Sequence, residues 1–547
     1  MGASYRCRPK GNLVTDLDHL LLERRVDALL APWSHNDGAG VTIGVVLEGA
    51  LCVHQHAGLA SIEHGVPIGD ETRFRIASVS KQFTCAAILM LEAEGSLSLD
   101  EPARTYLPEL PGSVGRVTVA QLMHNSSGLR DMFEILRHGG ADLGTPVLPG
   151  ALLDGITRQQ ALNFEPGSRF LYSNSNFLLL GLIVERLSGR SLDAFLQQRI
   201  FAPLGMVDTR VTPDTAEVIP RLATGYLRGG DAVWRRAPHA FPLGGEGGLV
   251  SSVRDLALWA QNFTTKRVGA EWLAGLLTQT PFSNGNENRY ARGLVTRPYR
   301  GVATWSHGGL WPGFRTEFLM VPDQGATVIV IANQGGADPN LLAHRALDAV
   351  LDGRSGVHPV PPGLPRDVLN RLPGRYIDDA METTLDIDVD ENGETTLTTY
   401  GVPAIAEATE DGRLAIPRSS SIFALRPMAG DRVEIEQDAG TTGTWRRIER
   451  GSPLPEGLVG RYCSEEMATE WTVTEADGKT TVVASGPVAT GPAWDVEPIE
   501  GDVFRVRTPG TLYRGWLDVR ASRDGGHIDG LIVSGGRVKR VRYERLT

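Results

Sequence analysis

Leu372-Pro373-Gly374-Arg375-Tyr376 returns as Leu458-Val459-Gly460-Arg461-Tyr462, 86 residues later by the Gly374 to Gly460 count. This repetition constrains the fold more than any other feature of the chain. Met381 and Met467 follow at the same distance from each Gly-Arg-Tyr, and each copy ends in a basic stretch, Trp445-Arg446-Arg447-Ile448 and Val538-Lys539-Arg540-Val541-Arg542-Tyr543. Turn signals at Glu391-Asn392-Gly393, Glu410-Asp411-Gly412 and Asp477-Gly478 cut the copies into short strands. Many short strands with tight turns bury their edges by closing on themselves. Each copy therefore predicts a small antiparallel β-barrel, one over residues 367–450 and one over 456–547. Four prolines between residues 355 and 365 (Pro359, Pro361, Pro362, Pro365) read as a linker, which leaves residues 1–355 as a separate domain.

The remaining bulk properties narrow the functional classes. A chain of 547 residues is too long for one hydrophobic core. A net charge of −11 argues against nucleic acid and against an anionic membrane surface as partners. Cys7, Cys52, Cys85 and Cys463 are scattered without metal or disulfide spacing, which suits a reducing compartment. Apolar residues between 13 and 30 recur at helical spacing but are interrupted by Asp16, Asp18, Glu23, Arg24, Arg25 and Asp27. That pattern predicts an amphipathic helix and not an export signal. No run of 18 apolar residues occurs, and a cytoplasmic location is expected.

The chemistry centres on Phe74-Arg75-Ile76-Ala77-Ser78-Val79-Ser80-Lys81. Residues 83–91 are apolar on nearly every side and contain no Gly or Pro, so they predict a fully buried helix. Ser78 falls at its first turn and Lys81 three residues on, along the same face. A lysine held out of water gives up its proton more readily and can then take the proton of a neighbouring hydroxyl. Serine nucleophile with lysine base is one reading; a helix cap followed by a surface lysine is the other.

Further candidates follow along the chain. Residues 41–47 and 50–60 predict a strand pair that carries His54 and His56 on one face, with no third ligand nearby to make a metal site. Residues 117–123 predict a helix leading into His124-Asn125-Ser126-Ser127-Gly128-Leu129, and residues 139–155 a long Gly/Pro-rich binding loop. Tyr172 and Asn174 stand two apart ahead of a second buried helix over 177–187. On an extended segment they share a face, a phenol to move protons and an amide to orient a carbonyl. Four glycines in Gly244-Gly245-Glu246-Gly247-Gly248 imply a close backbone approach. Thr304-Trp305-Ser306-His307-Gly308-Gly309 is placed between two strands, the second over 315–321, with a third strand over 326–332 and a closing helix over 341–351. The two glycines would let a substrate backbone lie against the strand edge.

Ser78-x-x-Lys81, Tyr172-x-Asn174 and His307-Gly308-Gly309 occur in the order and approximate spacing of the penicillin-binding-protein and class C β-lactamase superfamily, which residues 35–355 resemble. Leu122-Met123-His124-Asn125-Ser126-Ser127-Gly128-Leu129, Phe164-Glu165-Pro166-Gly167-Ser168 and Gly247-Gly248-Leu249-Val250-Ser251-Ser252 fit as well; His307 replaces the lysine usual in the third motif. With two appended barrels the chain resembles the three-domain D-aminopeptidase branch and, beside it, the peptidase of linearised microcystin. The resemblance implies an α/β (α+β) β-lactamase/penicillin-binding-protein-like catalytic domain followed by two small antiparallel, lipocalin-like β-barrels.

It also implies a serine peptidase acting through an acyl-enzyme on short peptides with D-residues, without metal or cofactor. Ser78, Lys81 and Tyr172 would be catalytic. Asn174, His307, Gly308, Gly309 and Leu310 would hold substrate, the backbone N–H groups of Ser78 and Leu310 forming the oxyanion hole. In that branch a loop of the last barrel reaches the cleft; residues 485–493 match it here. They contain no acid to bind a substrate ammonium, Asp495 being the first beyond them. Internal cutting of linear peptides therefore stands beside aminopeptidase action. An esterase or β-lactamase, a peptide-releasing thioesterase and a non-catalytic peptide-binding protein are the alternatives.

Overall fold

The computed structural model describes residues 16–352 apart from 36, 143 and 239, then 363–378, 383–409, 411–416, 423–437, 441–449, 451–508 and 515–546. Met381, Cys7 and most of the proline-rich linker lie outside the described residues.

Helix α1 (Asp16–Leu29) precedes the hairpin of β1 (Val41–Leu47) and β2 (Ala50–Ala57). Glu48-Gly49 makes the turn, both at positive φ. The second predicted strand breaks at Gly58, and Leu59–Ser61 forms a short strand of its own. Next come α2 (Lys81–Ala93), α3 (Met132–His138), α4 (Asn174–Ser188) and α5 (Val253–Thr265), then three antiparallel strands, β3 (Val295–Tyr299), β4 (Val302–Trp311) and β5 (Phe314–Val321). Strand β6 (Ala326–Ala332) and helix α6 (Pro339–Leu351) close the domain. The sheet runs β3-β4-β5-β6-β1-β2, all antiparallel. Strands β1 and β6 are buried along their whole length because both faces are covered. On one face Leu22, Val26 and Leu30 join Leu342, Ala346 and Leu347 over Val41, Ile43 and Val45. On the other, α2 runs through the largest core, with Phe83, Ile88 and Leu91 buried.

His307-Gly308-Gly309 does not lie between strands. It is the middle of β4, where β-branched and aromatic flanks carry the ladder through the glycines. The expected 139–155 loop is shorter, since Pro149–Thr157 is helical with Pro149 preset for the first turn. The helix expected from residue 117 starts at Val119, after a Thr118–Gln121 capping box.

Each sequence repeat is a closed eight-stranded antiparallel barrel, from Gly374–Asp378 to Thr441–Ile448 and from Gly460–Ser464 to Val541–Leu546. Closure pairs Arg375 with Ile448 and Arg461 with Leu546. The counterpart of Arg447 is thus Arg545, and residues 538–540 fall in the turn before the last strand. That corrects the match between basic stretches read from composition alone.

The second barrel docks on α3. Ile135 enters the barrel's core, Trp471 Nε1 donates to the His138 carbonyl at 2.9 Å, and His138 Nδ1 lies 3.1 Å from the Tyr543 hydroxyl. Buried Arg130 donates to Glu466 at 2.7 Å across the same seam. Residues 485–493 also meet the catalytic domain. A Cβ on Gly486 would come within 2.7 Å of Gly139 Cα, and Val488 and Ala489 pack on the main core. Among the described residues no helix is long and apolar enough to cross a membrane.

Candidate active site

Ser78 sits in a single 3-10 turn, Ala77–Ser80, that leads into α2. Ala77, just before it, holds φ at 47°, a conformation an L-residue adopts only at a cost of about 1 kcal/mol. Ser80 fixes the turn by donating to the Ala77 carbonyl at 2.6 Å and accepting from Leu249 N–H at 3.1 Å. Ser78 itself is half-buried, whereas Lys81 is fully buried.

Lys81 Nζ donates to Ser78 Oγ at 3.0 Å, to Asn174 Oδ1 at 3.0 Å and to the Glu246 carbonyl. Its ammonium also stands 4.9 Å from the Tyr172 ring centroid and 5.1 Å from that of Phe177. Burial holds its pKa well below the ordinary lysine value, and the positive charge of Arg537 adds to the effect. The Glu246 carboxyl is raised by the same loss of water. The glycines around Glu246 serve this packing. A Cβ on Gly245 would stand 2.7 Å from the Phe177 carbonyl, so the close approach inferred from sequence is to α4.

Asn174 is the first residue of α4, with Ser173 in extended conformation ahead of it. Asp131 orients the amide: its Oδ2 accepts from Asn174 N–H at 2.7 Å and from Nδ2 at 2.9 Å. That fixes Oδ1 toward Lys81. Asp131 Oδ1 meanwhile caps α3 through Phe133 N–H at 3.0 Å.

His307 is buried, and loss of water pushes its pKa down to about 3, so the ring is neutral. Its Nδ1 lies 2.7 Å from the Gly308 carbonyl, which can only accept, so Nδ1 carries the proton and Nε2 accepts from the Tyr290 hydroxyl at 2.9 Å. The rings of Tyr172 and His307 are 6.0 Å apart. Gly309 abuts the Ser78 turn, where a Cβ would come within 2.3 Å of the Ile76 carbonyl. Leu310 is exposed at the following position.

The structure thus gathers Ser78, Lys81, Tyr172, Asn174 and His307 into one cluster, with Gly308, Gly309 and Leu310 along its strand. Glu246, already singled out in the glycine-rich stretch, joins the same cluster; Asp131, Tyr290 and Arg537 belong to it and were not assigned there from sequence. A charged residue set between Leu129 and Met132 was a signal for Asp131; Tyr290 and Arg537 had no local one. His54 and His56 lie elsewhere, facing Asp70 at 3.4 and 3.6 Å.

The Beta-lactamase family model matches residues 22–351. The chain belongs to the β-lactamase family, and is an enzyme of that serine-hydrolase superfamily. Its similarity to relatives extends beyond that domain. A D-aminopeptidase of Cereibacter sphaeroides is 28% identical over 546 residues, covering 98% of this chain and all of the relative. A D-aminopeptidase of Brucella anthropi is 27% identical over 528 residues, covering 93% of this chain and 96% of the relative. Among solved structures, the D-amino acid amidase of Ochrobactrum anthropi SV3 with L-phenylalanine amide superposes with a TM-score of 0.52 at 28% identity, covering 61% of this chain and 99% of the amidase. The octameric penicillin-binding protein homologue of Pyrococcus abyssi shares the fold with a TM-score of 0.56 at 23% identity, over 79% of this chain and all of its own.

Proposed function

We propose that this β-lactamase-family enzyme is a serine peptidase that hydrolyses short peptides containing D-amino acids. The observation that carries the reading is the buried Lys81, its Nζ 3.0 Å from Ser78 Oγ and its proton weakly held. Neutral Lys81 takes the Ser78 proton as Oγ bonds to the substrate carbonyl carbon. The C–N bond then breaks, and the leaving amine receives a proton through Tyr172 and Lys81. Water cleaves the resulting ester and regenerates Ser78. Backbone N–H groups of Ser78 and Leu310 hold the oxyanion. Asn174, fixed by Asp131, orients the acyl-side amide, and neutral His307 steadies Tyr290 beside Tyr172. The D-aminopeptidase relatives and the D-amino acid amidase support the choice of substrate class.

Residues 485–493 are proposed to limit the depth of the cleft, an inference supported by the packing of Val488 and Ala489 on the catalytic domain. Asp495 pairs with Lys479 at 2.7 Å on the surface, whereas the buried Glu246 and Asp131 act on the charge of Lys81. A cytoplasmic site of action fits the absence of a long apolar run.

The test is a set of peptides that differ only in L or D residues around the cut bond, read by mass spectrometry. Cleavage at D-residues should dominate and fall by about 10⁴-fold or more in kcat in Ser78→Ala. Equal cleavage of the L-series, or Ser78→Ala within tenfold of the parent, overturns the reading.

A further inference from the structure

The turn over residues 535–540, between the last two strands of the second barrel, reaches the Tyr172 ring. Several hydrogen bonds anchor it to the catalytic domain, among them three to Glu134 and Asn163. The Arg537 N–H donates to Glu134 Oε2 at 2.8 Å, the Arg537 carbonyl accepts from Asn163 Nδ2 at 3.1 Å, and Lys539 N–H donates to Asn163 Oδ1 at 2.8 Å. Held this way, the Arg537 guanidinium lies 4.7 Å from the centroid of the Tyr172 ring, on which Lys81 also bears. Its Nη1 is 3.6 Å from Asp131 Oδ2, and about a third of the side chain (34%) remains exposed while that of Asp131 has no exposure.

A guanidinium keeps its charge at any working pH and presents five N–H donors in a planar fork. Such a fork can face Asp131 and pair with a second carboxylate at once, and carboxylates are what it binds best. A permanent cation here also opposes a protonated Lys81, in keeping with the direction of that lysine's shift. An anionic group of the substrate beside Tyr172 is favoured on both counts. If Tyr172 serves the leaving amine, the nearest anion a peptide can offer is the α-carboxylate of the leaving residue, one residue or ~3.5 Å of chain away.

We propose that Arg537, carried by the second barrel, binds the free carboxylate of the residue on the leaving side of the cut bond, so that the enzyme prefers bonds one residue from a peptide's C-terminal end. This rests on the reading of Ser78 and Tyr172 given above. It makes the second barrel part of the substrate site and Arg537 a specificity residue.

The experiment compares D-phenylalanyl-D-alanine with its C-terminal amide. The parent enzyme should favour the acid in kcat/KM by about 10- to 100-fold, mostly through KM. Arg537→Gln should bring that ratio close to one, and Arg537→Lys should keep part of it. A structural role alone would lower both rates together and leave the ratio unchanged. An equal parent rate on acid and amide, or an unchanged ratio in Arg537→Gln, overturns the proposal. Calorimetry of the same two dipeptides on Ser78→Ala protein reads the carboxylate site without turnover. Tighter binding of the acid supports the proposal even if neither dipeptide is cleaved, in which case the peptidase reading alone fails. Equal or absent binding overturns it.

Discussion

The two barrels start from five-residue stretches alike in all but Pro373 and Val459, and use them alike on the inside but differently on the outside. Within each, a tyrosine hydroxyl donates back to the chain four residues earlier, Tyr376 to the Leu372 carbonyl at 2.9 Å and Tyr462 to the Leu458 carbonyl at 2.7 Å. Over each ring lies a closing-strand arginine, Arg447 at 5.5 Å and Arg545 at 5.6 Å. The arginine beside the tyrosine diverges. Arg375 is buried and reaches Asp386 of its own barrel at 2.9 Å and Glu497 of the second at 2.7 Å. Arg461 is exposed and pairs with Glu470 at 2.7 Å in its own barrel. What closes a barrel is retained, while what faces outward has become a seam in one copy and solvated surface in the other.

The second barrel's two seams differ in kind as well. Toward the first barrel ion pairs surround a small apolar contact of Ile377 and Ile448 with Ile499: Arg505, wholly buried and stacked 3.8 Å over Trp516, meets Asp386 of the first barrel at 2.9 Å and lies 3.6 Å from Asp518 of its own. Toward the catalytic domain it combines the Arg130–Glu466 pair with Ile135, Trp471, Tyr543 and a neutral His138.

The largest expected effect breaks the ionic seam. Arg505→Leu takes the ion-pair partner of the fully buried Asp518, while Asp386 keeps Arg375, and should destabilise the barrels by about 3–5 kcal/mol in chemical denaturation. A cost under 1 kcal/mol would mean that packing, and not charge, joins the barrels.

The seam to the catalytic domain should instead respond to acid. Unfolded, His138 gains a proton near its ordinary value of 6.5; folded, burial pushes that down to about 3. Between those values the unfolded chain holds the extra proton, so stability falls as pH drops below 6.5. Lowering the pH from 7 to 5 should cost about 2 kcal/mol through this group alone. His138→Phe should remove that part of the acid sensitivity, which unfolding midpoints at the two pH values would show. An unchanged difference would place the sensitivity in the other histidines that burial holds neutral, His54, His124 and His307.

The shared interior lock predicts a matched pair of smaller effects. Tyr376→Phe and Tyr462→Phe each delete a buried hydrogen bond to a carbonyl and the oxygen that accepts from the closing-strand arginine, Arg447 at 3.0 Å and Arg545 at 3.4 Å, and should each cost about 1–2 kcal/mol. A severalfold difference between them would show that the locks are not equivalent. Smallest is Arg461→Ala, which loses an exposed pair and should change stability by about 0–1 kcal/mol. A loss as large as that of Arg375→Ala would erase the contrast between buried and solvated copies.

Sequence revealed what is local. Ser78 and Lys81 share a turn, Tyr172 and Asn174 bracket one residue, and the Gly-Arg-Tyr repeat announces two barrels, because each depends on neighbours within a few positions. His307 was found but misplaced, since paired glycines suggest a loop, whereas here Gly309 is needed so that a strand can press on the Ser78 turn. Asp131, Tyr290 and Arg537 work through partners 43, 17 and more than 300 residues distant in sequence, and no local pattern encodes such meetings. The same limit applies to the second barrel's reach: the family resemblance pointed to residues 485–493, and no local pattern pointed to the 535–540 turn, which sets a charge over Tyr172.

Strand β3 pairs with β4 only as far as Ser306, so residues 307–311 continue past it with one flank unladdered beside Ser78. Gly308 and Gly309 lie on this overhang, and the protein itself takes the space their missing β-carbons leave: a Cβ at 309 would meet the Ile76 carbonyl at 2.3 Å, and one at 308 would meet Glu317 Oε2 at 3.0 Å. A side chain at 309 would therefore press on the turn that carries Ser78, which ties the open strand flank and the nucleophile to one position.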